Sequence, residues 1–156
     1  MSTIKNFTIS SFPIYSSEPI SPFPPLSENS PEGRILIVED NPDHREILKT
    51  RLTSLGYVCQ ETDDGHEGLC ALSYSRFDFV MCDYQMPEMN GLQFIHTVRT
   101  TSGISTIPII FMTAHFDPFF IDHAVSVGAT ATLVKPFSLE NLQTALNRIG
   151  TLKANP

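Results

Sequence analysis

Five side chains in this 156-residue sequence stand out because each closes an apolar run and carries an oxygen or nitrogen that can bind or react. They are the adjacent acids Glu39 and Asp40, then Asp83, Thr113 and Lys135. Three carboxylates held close together repel one another, which raises their pKa values or destabilises the fold unless a cation sits between them. Oxygen-only ligands at an open edge suit Mg²⁺, with Mn²⁺ also acceptable to such donors, and Mg²⁺ commonly shares its shell with phosphate. The hydroxyl of Thr113 and the ammonium of Lys135 suit phosphoryl oxygens. Taken singly, each residue has a plain reading: Asp40 as a helix cap or solvated loop group, Thr113 as a turn former, Lys135 as a surface charge. Their shared position at the ends of different apolar runs is what joins them.

Those runs must be strands for the residues to meet. Arg34-Ile35-Leu36-Ile37-Val38-Glu39 is a continuous β-branched apolar stretch, as expected of a strand buried on both faces of a parallel sheet. Asn41-Pro42 supplies a cap and a favoured first helical residue, with Ile47, Leu48, Leu52 and Leu55 at helical spacing before Gly56. The alternation continues with a strand over 57–61, a helix over 65–74, a strand over 77–82 and a helix over 91–100. A strand over 107–112, a helix over 118–127, a strand over 130–134 and a helix over 138–149, capped by Ser138, complete it. Short connections with this alternation predict a doubly wound parallel sheet with helices on both faces. Its ligand site belongs at the carboxyl ends of the strands, where all five polar residues converge.

The bulk properties exclude several classes. A formal net charge of −7 without clustered Lys and Arg argues against a nucleic-acid surface. No apolar run is long enough to span a bilayer, and the N-terminus has no basic segment followed by an apolar stretch, so a cytoplasmic protein without a membrane partner is expected. Cys59, Cys70 and Cys82 are odd in number, widely spaced and set among apolar neighbours, which predicts buried thiols in a reducing compartment.

Residues 34–150 resemble the receiver domain of two-component response regulators. Glu39-Asp40 resembles the family's acidic pair, and Asp83-Tyr84-Gln85-Met86-Pro87-Glu88-Met89-Asn90-Gly91-Leu92 its phosphoacceptor loop. Met112-Thr113-Ala114 is similar to the switch hydroxyl segment, and Gly128-Ala129 followed by Leu133-Val134-Lys135-Pro136-Phe137 to the lysine motif. The intervals from Asp83 to Thr113 and from Thr113 to Lys135 also match the family's usual spacing. The resemblance implies an α/β fold of the flavodoxin-like (βα)5 type, five parallel strands in the order 2-1-3-4-5.

It also implies a mechanism. Asp83 would attack the phosphorus of a phosphohistidine on a sensor histidine kinase or histidine phosphotransfer protein, or of a small acyl phosphate. Mg²⁺ would be held by Glu39, Asp40, Asp83 and the Gln85 backbone carbonyl. Lys135 and Thr113 would take phosphoryl oxygens, and Thr113 would draw in the loop before residue 118, changing a surface read by a downstream protein. The family typically has a cis bond before the proline that follows the lysine, here Pro136. The domain would catalyse its own phosphorylation and dephosphorylation, with no small-molecule turnover.

Gln85 and His115, two positions beyond Asp83 and Thr113, are expected to border the path of an attacking water and so to set the lifetime of the phosphate, the plain reading of His115 being a solvated loop histidine. Thr132 departs from the family, many of whose members carry an aromatic ring three positions before the lysine. Phe120 and Ala124 are expected to face the core, leaving Phe116 and Phe119 either as extra core or as part of a partner surface.

Other classes fit less well. Haloacid-dehalogenase-type phosphatases use similar residues but carry an Asp-x-Asp nucleophile motif on the first strand, whereas Gln85 stands two after Asp83 here. A flavodoxin-like cofactor protein would need a hydroxyl and Gly-rich phosphate cradle where Glu39-Asp40-Asn41-Pro42 stands. A phosphorylation-independent pseudo-receiver and a receiver excised from a hybrid sensor kinase are the remaining alternatives. Residues 1–33 hold six of the twelve prolines and eight serines, which predicts a flexible tail, with Phe7, Phe12, Tyr15 and Phe23 able to dock on a partner or on the domain. Residues 151–156 are read as a C-terminal tail without an output domain.

Overall fold

In the computed structural model, residues 33–154 are described, with side chains over 33–150. The expectations for the tail, including its four aromatic residues, lie outside the described residues.

Ten elements alternate: β1 (Arg34–Val38), α1 (Pro42–Ser54), β2 (Val58–Thr62), α2 (Gly65–Tyr74), β3 (Phe79–Asp83), α3 (Gly91–Thr100), β4 (Ile109–Thr113), α4 (Pro118–Val127), β5 (Ala131–Val134) and α5 (Leu139–Ala154). The five strands form one parallel sheet in the order β2-β1-β3-β4-β5, the flavodoxin-like arrangement.

Period-two alternation divides the strands between two cores. Ile35, Ile37, Phe79, Met81, Ile110, Met112 and Leu133 turn to the face covered by α1 and α5. Leu36, Val38, Val80, Cys82, Ile109 and Phe111 turn to the face covered by α2, α3 and α4. Both faces are dry, which is why the central strands read as unbroken apolar runs. Each fully buried Ile, Leu or Val contributes about 1.5–3 kcal/mol, so the sheet centre is the rigid base from which the strand ends project.

The helix starts anticipated from sequence are present. Asn41 Oδ1 accepts from the N–H groups of Asp43 and His44, with Pro42 in the first turn. Asn90 and Gln93 exchange side-chain to backbone bonds at 2.9 Å in a capping box that opens α3. Ser138 Oγ accepts from Asn141 N–H at 3.1 Å before α5.

Several details differ from the sequence reading. β3 and β4 begin two residues later than expected and end one later, with Asp83 and Thr113 as their last residues. Pro108 has no N–H to donate to a ladder, and its carbonyl instead accepts from Val80 N–H at 2.9 Å. α5 continues to Ala154 rather than stopping at 149, because Gly150 costs a helix only about 1 kcal/mol and keeps a negative φ. Ile47 is half exposed, since the buried stripe of α1 runs through Leu48 and Leu52 at four-residue spacing. Cys70 is exposed, because α2 buries Gly65, Gly68, Ala71 and Leu72 on the other side; Cys82 is buried, Cys59 lies between, and all three are free.

The C-terminal end of α4 is fastened by one residue of α3. Arg99 Nε and Nη2 both donate to Gly128 O, at 3.0 and 2.7 Å, while Nη1 donates to Ser105 O and Ile107 O. Gly128 has φ 129°, a conformation that suits glycine, and a Cβ there would strike the Arg99 side chain at 2.7 Å. Among the described residues no helix is long and apolar enough to cross a membrane.

Candidate functional site

The acids come together through the ends of β1 and β3. Glu39 follows β1 directly, its N–H donates to Thr62 O, and its Oε1 accepts from Asn41 N–H at 3.1 Å. The residue that caps α1 therefore also orients the Glu39 carboxylate, which is only 1% exposed. Asp83, the last residue of β3, is 6% exposed, and Asp40 lies open to solvent. One carboxylate oxygen from each of Glu39, Asp40 and Asp83 falls within 4.8 Å of the other two. An all-oxygen set of this size, with one arm in solvent, fits a hard divalent cation that retains some of its water.

Lys135 occupies the opposite side. Its Nζ is 2.7 Å from Glu39 Oε2 and 2.9 Å from Asp83 Oδ1. The Lys135-Pro136 bond is cis, as expected, and Lys135 N–H donates to Thr113 O at 2.7 Å, tying the end of β5 to the end of β4. The Lys135 ammonium thus compensates two of the three acids.

The electrostatics follow from that geometry. Burial raises the Glu39 carboxyl above its ordinary value and the Asp83 charge adds to this, against the opposing hydrogen bond and charge of Lys135. Burial by itself lowers Lys135, but hydrogen bonds and charges from Asp83 and Glu39 outweigh it and leave its pKa raised. Cys82, packed behind the site with its thiol 3.4 Å from Asp83 O, is held well above its ordinary value by burial and by the charges of Asp83 and Glu39.

Thr113 is fully buried, and its Oγ1 accepts from His115 N–H at 3.0 Å. The hydroxyl is thus tied to the segment leading into α4. Gln85 and His115 are both exposed on the two loops that border Asp83 and Thr113. Ala124 is buried and Phe120 packs against the core, whereas Phe116 and Phe119 are 82% and 85% exposed, which removes the extra-core reading of those two rings.

Two residues that the sequence shows only as members of the phosphoacceptor loop have packing roles here. Gly91 opens α3 beneath the Asp83 loop, where a Cβ would press on Asp83 O and lie 2.9 Å from Tyr84 Cα, so only glycine lets the helix start so close to the strand end. Tyr84 sits edge-on to Phe111, His115 and Phe120. Gly91 could have been suspected from its place at a helix start, but no spacing rule brings Tyr84 to His115.

Comparisons with known proteins cover the part of the chain that holds these residues. The family model of the response regulator receiver domain matches residues 35–147. The chain is 32% identical to a probable chemotaxis protein CheY of Rhizobium etli over 122 residues, 77% of this chain and 95% of that protein. It is 35% identical to the chemotaxis protein CheY-3 of Vibrio cholerae over 117 residues, 74% of this chain and 90% of that protein. Among solved structures, the receiver domain of a Syntrophus aciditrophicus signal transduction histidine kinase is similar, with a TM-score of 0.73, 31% identity and coverage of 80% of this chain and 94% of that one. The receiver domain of a Pseudomonas aeruginosa sensor histidine kinase, solved with a magnesium ion coordinated in its active-site cleft, is similar at a TM-score of 0.70 and 30% identity, covering 76% and 98%.

Proposed function

Because the chain belongs to the receiver-domain family of two-component response regulators, which works in phosphorelay signalling, we propose that Asp83 is its phosphoacceptor. The observation that carries this reading is the placement of the buried Asp83 carboxylate within 2.9 Å of Lys135 and beside Glu39 and Asp40.

In the proposed reaction an Asp83 oxygen attacks phosphorus in line, forming an oxygen–phosphorus bond as the bond to the donor's histidine nitrogen, or to the oxygen of an acyl phosphate, breaks. The donor leaves with the bonding electron pair. Glu39, Asp40, Asp83 and the Gln85 backbone carbonyl would hold Mg²⁺, or Mn²⁺, which would neutralise charge on the phosphoryl oxygens. Lys135 transfers one of its hydrogen bonds from a carboxylate to a phosphoryl oxygen. Thr113 gives up its bond from His115 N–H to bond another. Hydrolysis reverses the state: water attacks phosphorus, the Asp83 oxygen–phosphorus bond breaks, and inorganic phosphate leaves.

The donor in this reading is a sensor histidine kinase or a histidine phosphotransfer protein, and the reader is a downstream protein. The exposed rings of Phe116 and Phe119, on the segment that follows Thr113, support their use as contacts for that reader. The three unpaired cysteines support a cytoplasmic setting.

The test is phosphate incorporation from acetyl phosphate, with and without Mg²⁺, into wild type and Asp83→Asn. Mg²⁺-dependent incorporation into wild type alone is expected. Incorporation into the variant at the wild-type level overturns the assignment.

A further inference from the structure

A phosphoryl group on Asp83 reaches α4 only if something connects the two. Residue 132, on the strand next to Thr113, is a threonine whose Oγ1 is buried without a hydrogen-bond partner among the described residues. It offers no ring to repack and no bond to exchange. A different set of side chains spans the distance.

Tyr84 is covalently next to Asp83, and its N–H donates to Met112 O at 2.8 Å. Its ring centroid lies 5.5 Å from that of His115 and 4.8 Å from that of Phe120, both edge-on. His115 and Phe120 are themselves 4.8 Å apart, and Phe111 of β4 closes the back of the group, 5.9 Å from Tyr84 and 6.1 Å from Phe120. The cluster joins the phosphoacceptor loop, the β4–α4 loop and the first turn of α4.

Its tether to the switch hydroxyl is the bond from His115 N–H to Thr113 Oγ1. A hydroxyl oxygen turned toward a phosphoryl group on Asp83 leaves that N–H, and the backbone carrying the His115 ring loses its anchor. Phe120 N–H is bonded to Asp117 O, so the start of α4 is continuous with the released segment.

We infer that the Tyr84–His115–Phe120 ring cluster, rather than residue 132, transmits the state of Thr113 to α4 and thereby sets how Phe116 and Phe119 are presented. The inference rests on the reading of Asp83 as phosphoacceptor. His115 acts in it as a positioning residue: its backbone senses the hydroxyl and its ring moves the neighbours.

The experiment is NMR of ring resonances in protein labelled at Tyr, Phe and His, before and after acetyl phosphate and Mg²⁺, with intact mass recorded on the same samples. Shifts are read per unit of phosphorylated protein. In wild type, the Tyr84, His115 and Phe120 resonances shift together as the mass rises. In His115→Ala the Phe120 shift is lost, in His115→Phe it returns, and in Thr132→Val it persists. A rise in mass without ring shifts, a full Phe120 shift in His115→Ala, or its disappearance in Thr132→Val overturns the inference. Failure of the mass to rise in wild type overturns the phosphoacceptor reading, and the inference with it.

Discussion

Lys135 Nζ stands 2.9 Å from Asp83 Oδ1 and, on its other side, 2.7 Å from Glu39 Oε2. One ammonium compensates two buried carboxylates, so its removal leaves both exposed to each other's charge. Lys135→Met is expected to lower stability in metal-free buffer by on the order of 2 kcal/mol. That lies between the roughly 0–1 kcal/mol of surface pairs and the 3–5 kcal/mol of fully buried ones, because 21% of the lysine side chain meets solvent. Urea unfolding measures it; a midpoint equal to wild type would show that the pair contributes nothing.

Asp83→Asn acts in the opposite direction. It removes one of three acids while the Glu39–Lys135 pair remains, so metal-free stability is expected to equal or exceed wild type by up to about 1 kcal/mol. The stabilisation gained on adding Mg²⁺, about 2.7 kcal/mol at a hundredfold excess over the dissociation constant, is expected to shrink. Thermal unfolding with and without MgCl₂ reads both effects. A clear loss of metal-free stability would mean that the Asp83 carboxylate is a structural acceptor.

Gln85 and His115 are exposed on the two loops at the mouth of the site. If they screen the aspartyl phosphate from water, replacing both with Ala shortens its half-life by roughly two- to tenfold, equivalent to about 0.4–1.4 kcal/mol of barrier. An unchanged half-life in a phosphate-release assay removes them from that role.

The thiols give a pH prediction. Burial, chiefly, pushes Cys59 up to about 11 from an ordinary 9.0. Between those values the native state holds a proton that the unfolded chain has lost, so this contribution to stability is complete below pH 9 and declines as pH rises towards 11. Lys135, raised above 10.5, loses its own contribution only beyond that value. Urea midpoints across pH 8–11 are expected to fall less steeply in Cys59→Ala than in wild type. At pH 8 a thiol reagent is expected to reach Cys70 first, since it alone of the three is exposed.

The sheet was legible in the sequence because its strands are buried on both faces, which leaves unbroken β-branched runs, and because Asn41-Pro42, Gly56 and Ser138 punctuate them. The convergence of Glu39, Asp40, Asp83, Thr113 and Lys135 followed from one rule about strand ends. What the sequence withheld are relations set by packing. Ile47 and Cys70 are apolar in type, yet their angular positions on α1 and α2 turn them outward. The bond from Lys135 to Glu39 joins residues 96 apart in the chain, and only the completed sheet determines which anion the ammonium meets first. The contact of Tyr84 with Phe120 likewise depends on how α4 lies against β4.

The Arg99 clamp on Gly128 has a consequence for motion. With Gly128, its C-cap, held by Arg99, α4 is restrained most at that end, while its start rests on the packing of Phe120 against Tyr84 and Phe111. On the proposed relay, a displacement that begins at Thr113 is expected to be greatest near Phe116 and Phe119 and to fade towards Val127. The exposed rings of Phe116 and Phe119 stand at the other end, where a small release at a buried hydroxyl would give the largest arc.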